Sequence, residues 1–442
     1  MKILSQTRDA GQHRHDGAPR PSSYPARGAR AERERNARGA RGQARGGSRL
    51  GNTGTSLPVS DTRAERWEMR DGLREVTTLR NLRKCGKTPV APLVSLHGEA
   101  GGRAGYGGLA TCASVWACPV CAGKISAHRK ETVAKLVAWA EAQGLRVSML
   151  TLTQRHHMGQ KLNELWKALS YAWGRVTSGR RWVEFKEQLG VVGYVRAVEV
   201  THGKNGWHVH QHVLILSEKD PTVTPVFYQR RQGRARHPYP VEVTRSADFI
   251  ADRWEAGLAK KGVDFLRDSG GLDWRTAEPG DAEAMGRYVA KLGTAGMGEK
   301  DSAGLSAEVT LGGFKKARSG NRTPFQIAQD LLQNGEAEDF ALWLEWEKAS
   351  YGKRALTWSQ GLKEAAGIDE KTDEEICEET PEGDVVLLLD GENWKKVREA
   401  GPVKLLQVLE KHGAGQARRW CRLRGIEFVV PDELARSEIR RE

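Results

Sequence analysis

The stretch EVTHGKNGWHVHQHVLIL, residues 199–216, sets three imidazoles at alternate positions: His208, His210 and His212. Side chains alternate across an extended strand, so the three share one face and Val209, Gln211 and Val213 take the other. Leu214 and Leu216 return to the histidine side. The preceding Gly-Lys-Asn-Gly carries an Asn-Gly hairpin signal, and VVGYVRAVEVT (191–201) supplies a β-rich partner. A loop at Lys204 and Asn205 puts Glu199 opposite His210; a loop at Asn205 and Gly206 puts it opposite His212. Either loop keeps the parity, so Glu199 lies on the histidine face. A carboxylate with two or three imidazoles on a pre-formed surface suits a divalent cation, the imidazoles favouring a transition metal and the carboxylate Mg²⁺ or Mn²⁺. One histidine on such a strand would read as a surface residue; three with a matched acid do not. No His-Glu-x-x-His helix occurs, which excludes that metalloprotease pattern.

Working outward, RVSMLTLT (146–153) reads as a strand, and KLNELWKALSYAWGRV (161–176) as an amphipathic helix. ETVAKLVAWAEAQ (131–143) and GRRWVEFKEQLG (179–190) read as helices. SADFIADRWEAGLAKKG (246–262) reads as another, with Ser246 as its N-cap. VDFLRD (263–268) reads as a strand, and DAEAMGRYVAKLG (281–293) as a helix stopped by Gly293. The order predicts an α+β domain with helices packed on one face of an antiparallel sheet. Residues 314–442 read as a mainly helical region, with Trp343 and Trp346 as helix packing. Arg418, Arg419, Arg422 and Arg424 read either as a DNA contact or as a solvated face.

In MGRYVAKLG, Tyr288 and Lys291 are three apart and share a helix face. A free phenol with pKa ~10 is almost wholly protonated at neutral pH, and a nearby ammonium favours the phenolate. Alone this pair is a weak signal. Beside a histidine metal site it gains meaning: a cation that polarises a phosphodiester and a tyrosine that attacks it form a DNA-nicking centre.

Four cysteines, Cys85, Cys112, Cys118 and Cys121, precede these elements in an 80–130 segment, the last two as Cys-Pro-Val-Cys. Such a knuckle wraps tetrahedral Zn²⁺, and four thiolates close the site, which makes it structural. His97 and His128 are possible substitutes, a Cys-x-x-Cys redox pair is the competing reading, and Cys377 and Cys421 read as isolated thiols.

The chain has 442 residues, enough for two or three domains, with 70 Lys+Arg against 56 Asp+Glu and a net charge of +14. That balance suggests a polyanionic partner. Residues 1–65 read as a disordered basic arm, with twelve Lys/Arg against four Asp/Glu in the first fifty. No membrane span or secretory signal is legible, so a cytoplasmic location is expected.

These motifs resemble those of the HUH endonucleases and, more narrowly, of the rolling-circle replication initiators (Rep) of bacterial plasmids. MLTLTQRH (149–156) is similar to the family's first motif, the 199–216 stretch to its metal-binding motif, and RYVAKL to its Tyr-x-x-Lys motif. RALTWSQGLKEAAGIDEKTDEEI is similar to a stretch that follows the catalytic domain in such proteins. The resemblance implies an antiparallel HUH core with a ferredoxin-like palm over 131–313. It implies Mg²⁺ or Mn²⁺ held by His210 and His212 with His208 or Glu199, and Tyr288 as nucleophile helped by Lys291. It further implies origin DNA as substrate, with a host helicase and DNA polymerase as partners. Two departures stand out. Gln211 replaces the hydrophobic residue between the paired histidines, and Ala284 stands where some relatives carry a glutamate for termination, with Glu283 and Asp281 nearby. A relaxase or transposase of the same class, or a non-catalytic zinc-ribbon regulator, are the alternatives.

Overall fold

The structure is a computed structural model that describes residues 59–229, 241–267, 270–277, 321–369, 371–380 and 383–431. In chain order its elements begin with α1 (Val59–Val76), α2 (Arg80–Lys84), β1 (Val94–His97), β2 (Gly105–Gly107), α3 (Pro119–Ala142) and β3 (Arg146–Thr153). Next come α4 (Leu162–Val176), α5 (Arg180–Leu189), β4 (Val191–Gly203), β5 (Gly206–Ser217), β6 (Pro225–Gln229), β7 (Val241–Arg245), α6 (Ser246–Ala259) and β8 (Leu272–Thr276). The C-terminal elements are α7 (Pro324–Asn334), α8 (Ala337–Ser350), β9 (Leu356–Trp358), α9 (Leu362–Ala365), α10 (Asp373–Glu378), β10 (Val385–Leu389), α11 (Gly391–Ala400) and α12 (Pro402–Arg422).

Five antiparallel strands form the main sheet in the order β8-β3-β5-β4-β9, with the histidine strand β5 at its centre. The hairpin closes at Gly203 opposite Gly206, so Lys204 and Asn205 are the loop and Glu199 pairs with His210. The first of the two expected registers is therefore the one adopted. Gly206 has φ +82°, and a Cβ there would lie 3.2 Å from the His157 carbonyl oxygen, which explains the glycine.

Both faces of the sheet carry helices, whereas the sequence pattern suggested one. On the face opposite the histidines, Val209, Val213 and Ile215 join Leu150, Leu152, Val198 and Val200 in the largest core. The stripe of α4 (Leu162, Leu165, Trp166, Leu169, Ala172, Trp173, Val176) closes over it, with apolar residues three and four apart as a half-buried helix requires. Helix α6 crosses α4 at Gly257, where a Cβ would approach Ala172 Cα to 2.6 Å. On the histidine face a second core joins Val133, Leu136, Val137 and Ala140 of α3 to Val147, Met149, Val195, Ala197, Leu214 and Leu216. Helix α3 thus covers the far half of that face, and the imidazoles occupy the remainder.

Several expectations need correction. Helix α1 begins at Val59, so the last residues assigned to the 1–65 arm are helical; residues 1–58 lie outside the described ones. Helix α3 starts at Pro119, twelve residues before the predicted start, and runs across the 130/131 boundary. Ser246 is the first helical residue rather than the cap, and its hydroxyl donates to the Thr224 carbonyl oxygen at 2.8 Å. Residues 263–266 are not a strand; β6, β7 and β8, which pattern reading left out, are. The region from 314 is mainly helical but not separate, because β9 extends the main sheet and β10 pairs with β1 in a β10-β1-β2 sheet. That smaller sheet packs with α11 and α12 around Trp394, Leu405 and Trp420. There Arg418 donates to the Val386 carbonyl oxygen, Arg422 lies 5.4 Å over the Phe428 ring and Arg424 4.2 Å over the Trp420 ring, so three of the four arginines are engaged by their own module.

Candidate active site

Strand alternation delivers the expected face. The Nε2 atoms of His210 and His212 each lie 3.1 Å from Glu199 Oε2, and the three ligand atoms converge within 4.8 Å of one another. Bonds of about 2.1 Å to an octahedral cation imply ligand edges of about 3.0 Å, which the two 3.1 Å separations match. Two imidazoles and one carboxylate also leave positions open for substrate oxygens.

His208 does not join them. Its register partner is Thr201, and its ring stacks between His156 (4.8 Å) and His210 (4.7 Å). Burial, followed by the neighbouring His210 and His156 imidazoles, pushes its pKa down to about 3, so it is neutral at physiological pH. The structure therefore sorts the four candidate ligands into a converging trio of Glu199, His210 and His212 and a flanking His208.

Pattern reading missed two groups of this site. β3 lies beside β5 with Thr151 opposite His212, and Thr151 Oγ1 is 3.1 Å from His212 Nδ1. With Thr151 accepting from an Nδ1 proton, His212 would present its Nε2 lone pair to a cation. The alternate threonines of RVSMLTLT were the available signal; that β3 is the second neighbour of β5 was not. His156 is the other, docked by its Nδ1 at 3.0 Å from the Asn205 carbonyl oxygen of the hairpin loop. Exchanging Thr151 for valine keeps the shape and deletes the hydroxyl. Mn²⁺ binding, followed by calorimetry, is expected to weaken by about 10-fold to 100-fold with unchanged circular dichroism.

Gln211, the residue that departs from the hydrophobic pattern, is fully buried on the opposite face, where its Oε1 accepts from Arg196 Nη1 at 3.3 Å. Its polarity answers a half-buried arginine and does not intrude on the histidine side. Tyr288 and Lys291, with Asp281, Glu283 and Ala284, lie outside the described residues. The described chain on either side ends at Ala277, bonded to Val147 on β3, and resumes at Asn321, next to Arg322, which bridges to His202 near the hairpin loop.

The cysteines form a second centre. Cys118 is the N-cap of α3 and Pro119 its first residue, so Cys-Pro-Val-Cys is at once a helix start and a thiol pair; Cys118 Sγ accepts from Cys121 N. Cys85 caps α2, and Cys112 comes from the loop after β2. The Sγ separations are 3.6 Å (Cys85–Cys121), 3.7 Å (Cys112–Cys121) and 3.8 Å (Cys85–Cys118). A zinc tetrahedron with Zn–S near 2.3 Å has S···S edges of about 3.8 Å, so the four thiols fit that ion. Hydrogen bonds from the Cys112 and Cys118 thiols pull the Cys121 thiol well below its ordinary value. His97 instead bonds Ser95 Oγ at 2.7 Å and, like His128, is not in the cluster. Cys377 is not isolated: it is buried, with its thiol hydrogen-bonded to Cys121 from α10, which packs on α3.

Residues 109–221, which include β3, β5 and three of the four clustered cysteines, match the family model for a replication protein, Rep. The chain is 28% identical over 313 residues to "Protein rep" of Streptomyces lividans, a match covering 59% of this chain and 65% of that protein. It is 32% identical over 135 residues to a "Neomycin resistance protein" of Streptomyces cyanogenus, covering 25% of this chain and 31% of that one. The chain thus spans less than two thirds of the length of these relatives. No solved structure matches it. The resemblance to rolling-circle Rep initiators read from the motifs is borne out by the first two comparisons. Among the described residues, no helix is long and apolar enough to cross a membrane.

Proposed function

We propose that this chain initiates rolling-circle replication of a plasmid by nicking, and later rejoining, one strand of its origin. The observation that carries the reading is the convergence of Glu199, His210 and His212 on one point of a sheet face, in a chain similar to replication proteins. Mg²⁺ or Mn²⁺ bound there would withdraw charge from the scissile phosphate. Glu199 Oε2 stands 3.1 Å from both imidazole nitrogens, where the three could share one cation, and Thr151 supports His212 from the far side of its ring. The Tyr288 oxygen, its proton passing to water and its phenolate stabilised by the Lys291 ammonium, would attack phosphorus. The P–O3′ bond breaks, and the leaving oxygen takes up a proton to become a 3′-hydroxyl for a host polymerase. The 5′ phosphate stays on Tyr288 as a diester, close in energy to the bond it replaces, so rejoining needs no nucleotide. The sequence holds no Gly-x-x-x-x-Gly-Lys-Ser/Thr loop, which fits a host helicase as partner. The four-cysteine cluster would hold structural Zn²⁺ where α2, the β2 loop and α3 meet.

The test uses a labelled single-stranded origin oligonucleotide with Mn²⁺. The parent is expected to yield a covalent protein–DNA adduct stable to denaturation, and Tyr288→Phe none. An adduct undiminished in Tyr288→Phe would move the nucleophile elsewhere. No adduct from either chain with several metals would favour a non-catalytic zinc-containing regulator.

A further inference from the structure

Beyond the metal trio, the histidine face continues sideways. Ala197 on β4 pairs with His212 on β5, and Leu356 on β9 pairs in turn with Ala197. Directly paired residues point to the same side, so Leu356 lies on the metal face two strands from His212, about 10 Å away at ordinary strand spacing. Two residues on, Trp358 pairs with Val195 and shares that side. Against these two residues α3 and the chain after β9 enclose a cavity of about 70 Å³, lined also by Arg129, Thr132, Lys363, Lys371 and Asp369.

Three features decide what would enter. One water-sized centre takes about 10–15 Å³, so the cavity has room for several waters or for a tetrahedral anion. Three of its lining side chains are cationic against one carboxylate. The cations are held in place: Arg129 by Asp373 of α10 at 2.6 Å, Lys371 by Glu379, and Lys363 5.1 Å over the Trp358 ring. Exposed pairs of the Lys371–Glu379 kind contribute little and reopen readily toward a better anion, while the Arg129 fork matches phosphate geometry.

We propose that this cavity is a subsite for one backbone phosphate of the cut strand, a fixed step from the scissile phosphate, with the Trp358 ring edging the path of the adjoining nucleotide. This deepens the reading of the histidine face as a nicking surface and rests on it. The cavity would set the direction in which the strand crosses the sheet, and so which phosphate meets the metal.

The experiment measures binding of the full chain to a labelled single-stranded origin oligonucleotide before Mn²⁺ is added, and cleavage afterwards. Lys363→Gln/Lys371→Gln, with thermal unfolding like the parent's, is expected to bind about tenfold more weakly at low salt. Its slope of log K against log salt should fall by about 0.7 for the lost phosphate contact. Neutral methylphosphonates placed one at a time along the strand should reproduce that loss in the parent at a single linkage near the nick, and add nothing in the double variant. Inorganic phosphate in millimolar excess should weaken parent binding only down to the variant's level; binding of inorganic phosphate with no linkage-specific DNA effect would mean a free-anion site and overturn the proposal. So would a double variant with parental affinity and slope. If the linkage-specific loss appears while the parent never cleaves, the subsite stands and the nicking reading falls.

Discussion

Exchanging Glu199 for glutamine is expected to lower Mn²⁺-supported strand cleavage at least about a thousandfold, or ~4 kcal/mol of transition-state stabilisation. Its Oε2 is the point on which both Nε2 atoms converge, at 3.1 Å each, so no other described side chain can take its place between them. Glutamine keeps the size but removes the anion, and its NH₂ group turned toward the imidazoles would repel a cation. His210→Ala and His212→Ala are expected to fall in the same range. His208→Ala separates this account from one in which all three imidazoles are ligands. His208 stands outside the trio, stacked on His156 and His210, so its loss should cost less than about tenfold, through altered support of His210. The measurement is single-turnover cleavage of an origin oligonucleotide across a Mn²⁺ titration. Equal losses for His208→Ala and Glu199→Gln would refute the assignment.

Removing the Zn²⁺ proposed for the four-thiol cluster is expected to unfold the region that supports the candidate active site. Cys118→Ala, or incubation with a strong chelator, should lower Tm by about 10 °C or more and release one zinc per chain, read by plasma mass spectrometry. The magnitude follows from the size of structural zinc binding, about 10–16 kcal/mol in small domains, discounted because a larger core remains. The coupling is physical: Cys85, Cys118, Cys121 and Ile125 belong to the same core as Leu150, Val209 and Ile215. Cys377→Ser is the control. The thiol touches Cys121 but is not one of the four clustered ligands, so this variant should keep its zinc. Zinc retained by Cys118→Ala and lost from Cys377→Ser would mean that the ligand set is different.

Much of the site was readable because its logic is local. Strand parity is a property of one segment, so the shared face of His208, His210, His212 and Glu199 followed from alternation and an even-length loop. The Cys-Pro-Val-Cys knuckle was equally local, since a cap residue and a proline at the first helical position act within one turn. Failures came where neighbours are distant in sequence. Ser246 looked like a cap, but the Thr224 carbonyl lies within reach of its hydroxyl. Cys377 looked isolated, yet α10 carries it to α3, more than two hundred and fifty residues earlier in the chain.

By itself, then, the amino-acid order determined an antiparallel hairpin with an acid and three imidazoles on one side, a four-thiol cluster, and likeness to Rep initiators. Only the tertiary structure decided that Lys204 and Asn205 form the loop, that Thr151 lies beside His212 while His208 stays outside the converging trio, and that β9 and β10 return to sheets begun far upstream. The reason is range. Alternation and capping act over a few bonds, whereas the choice of neighbouring strand rests on which apolar faces must be buried together, and those faces come from the whole chain.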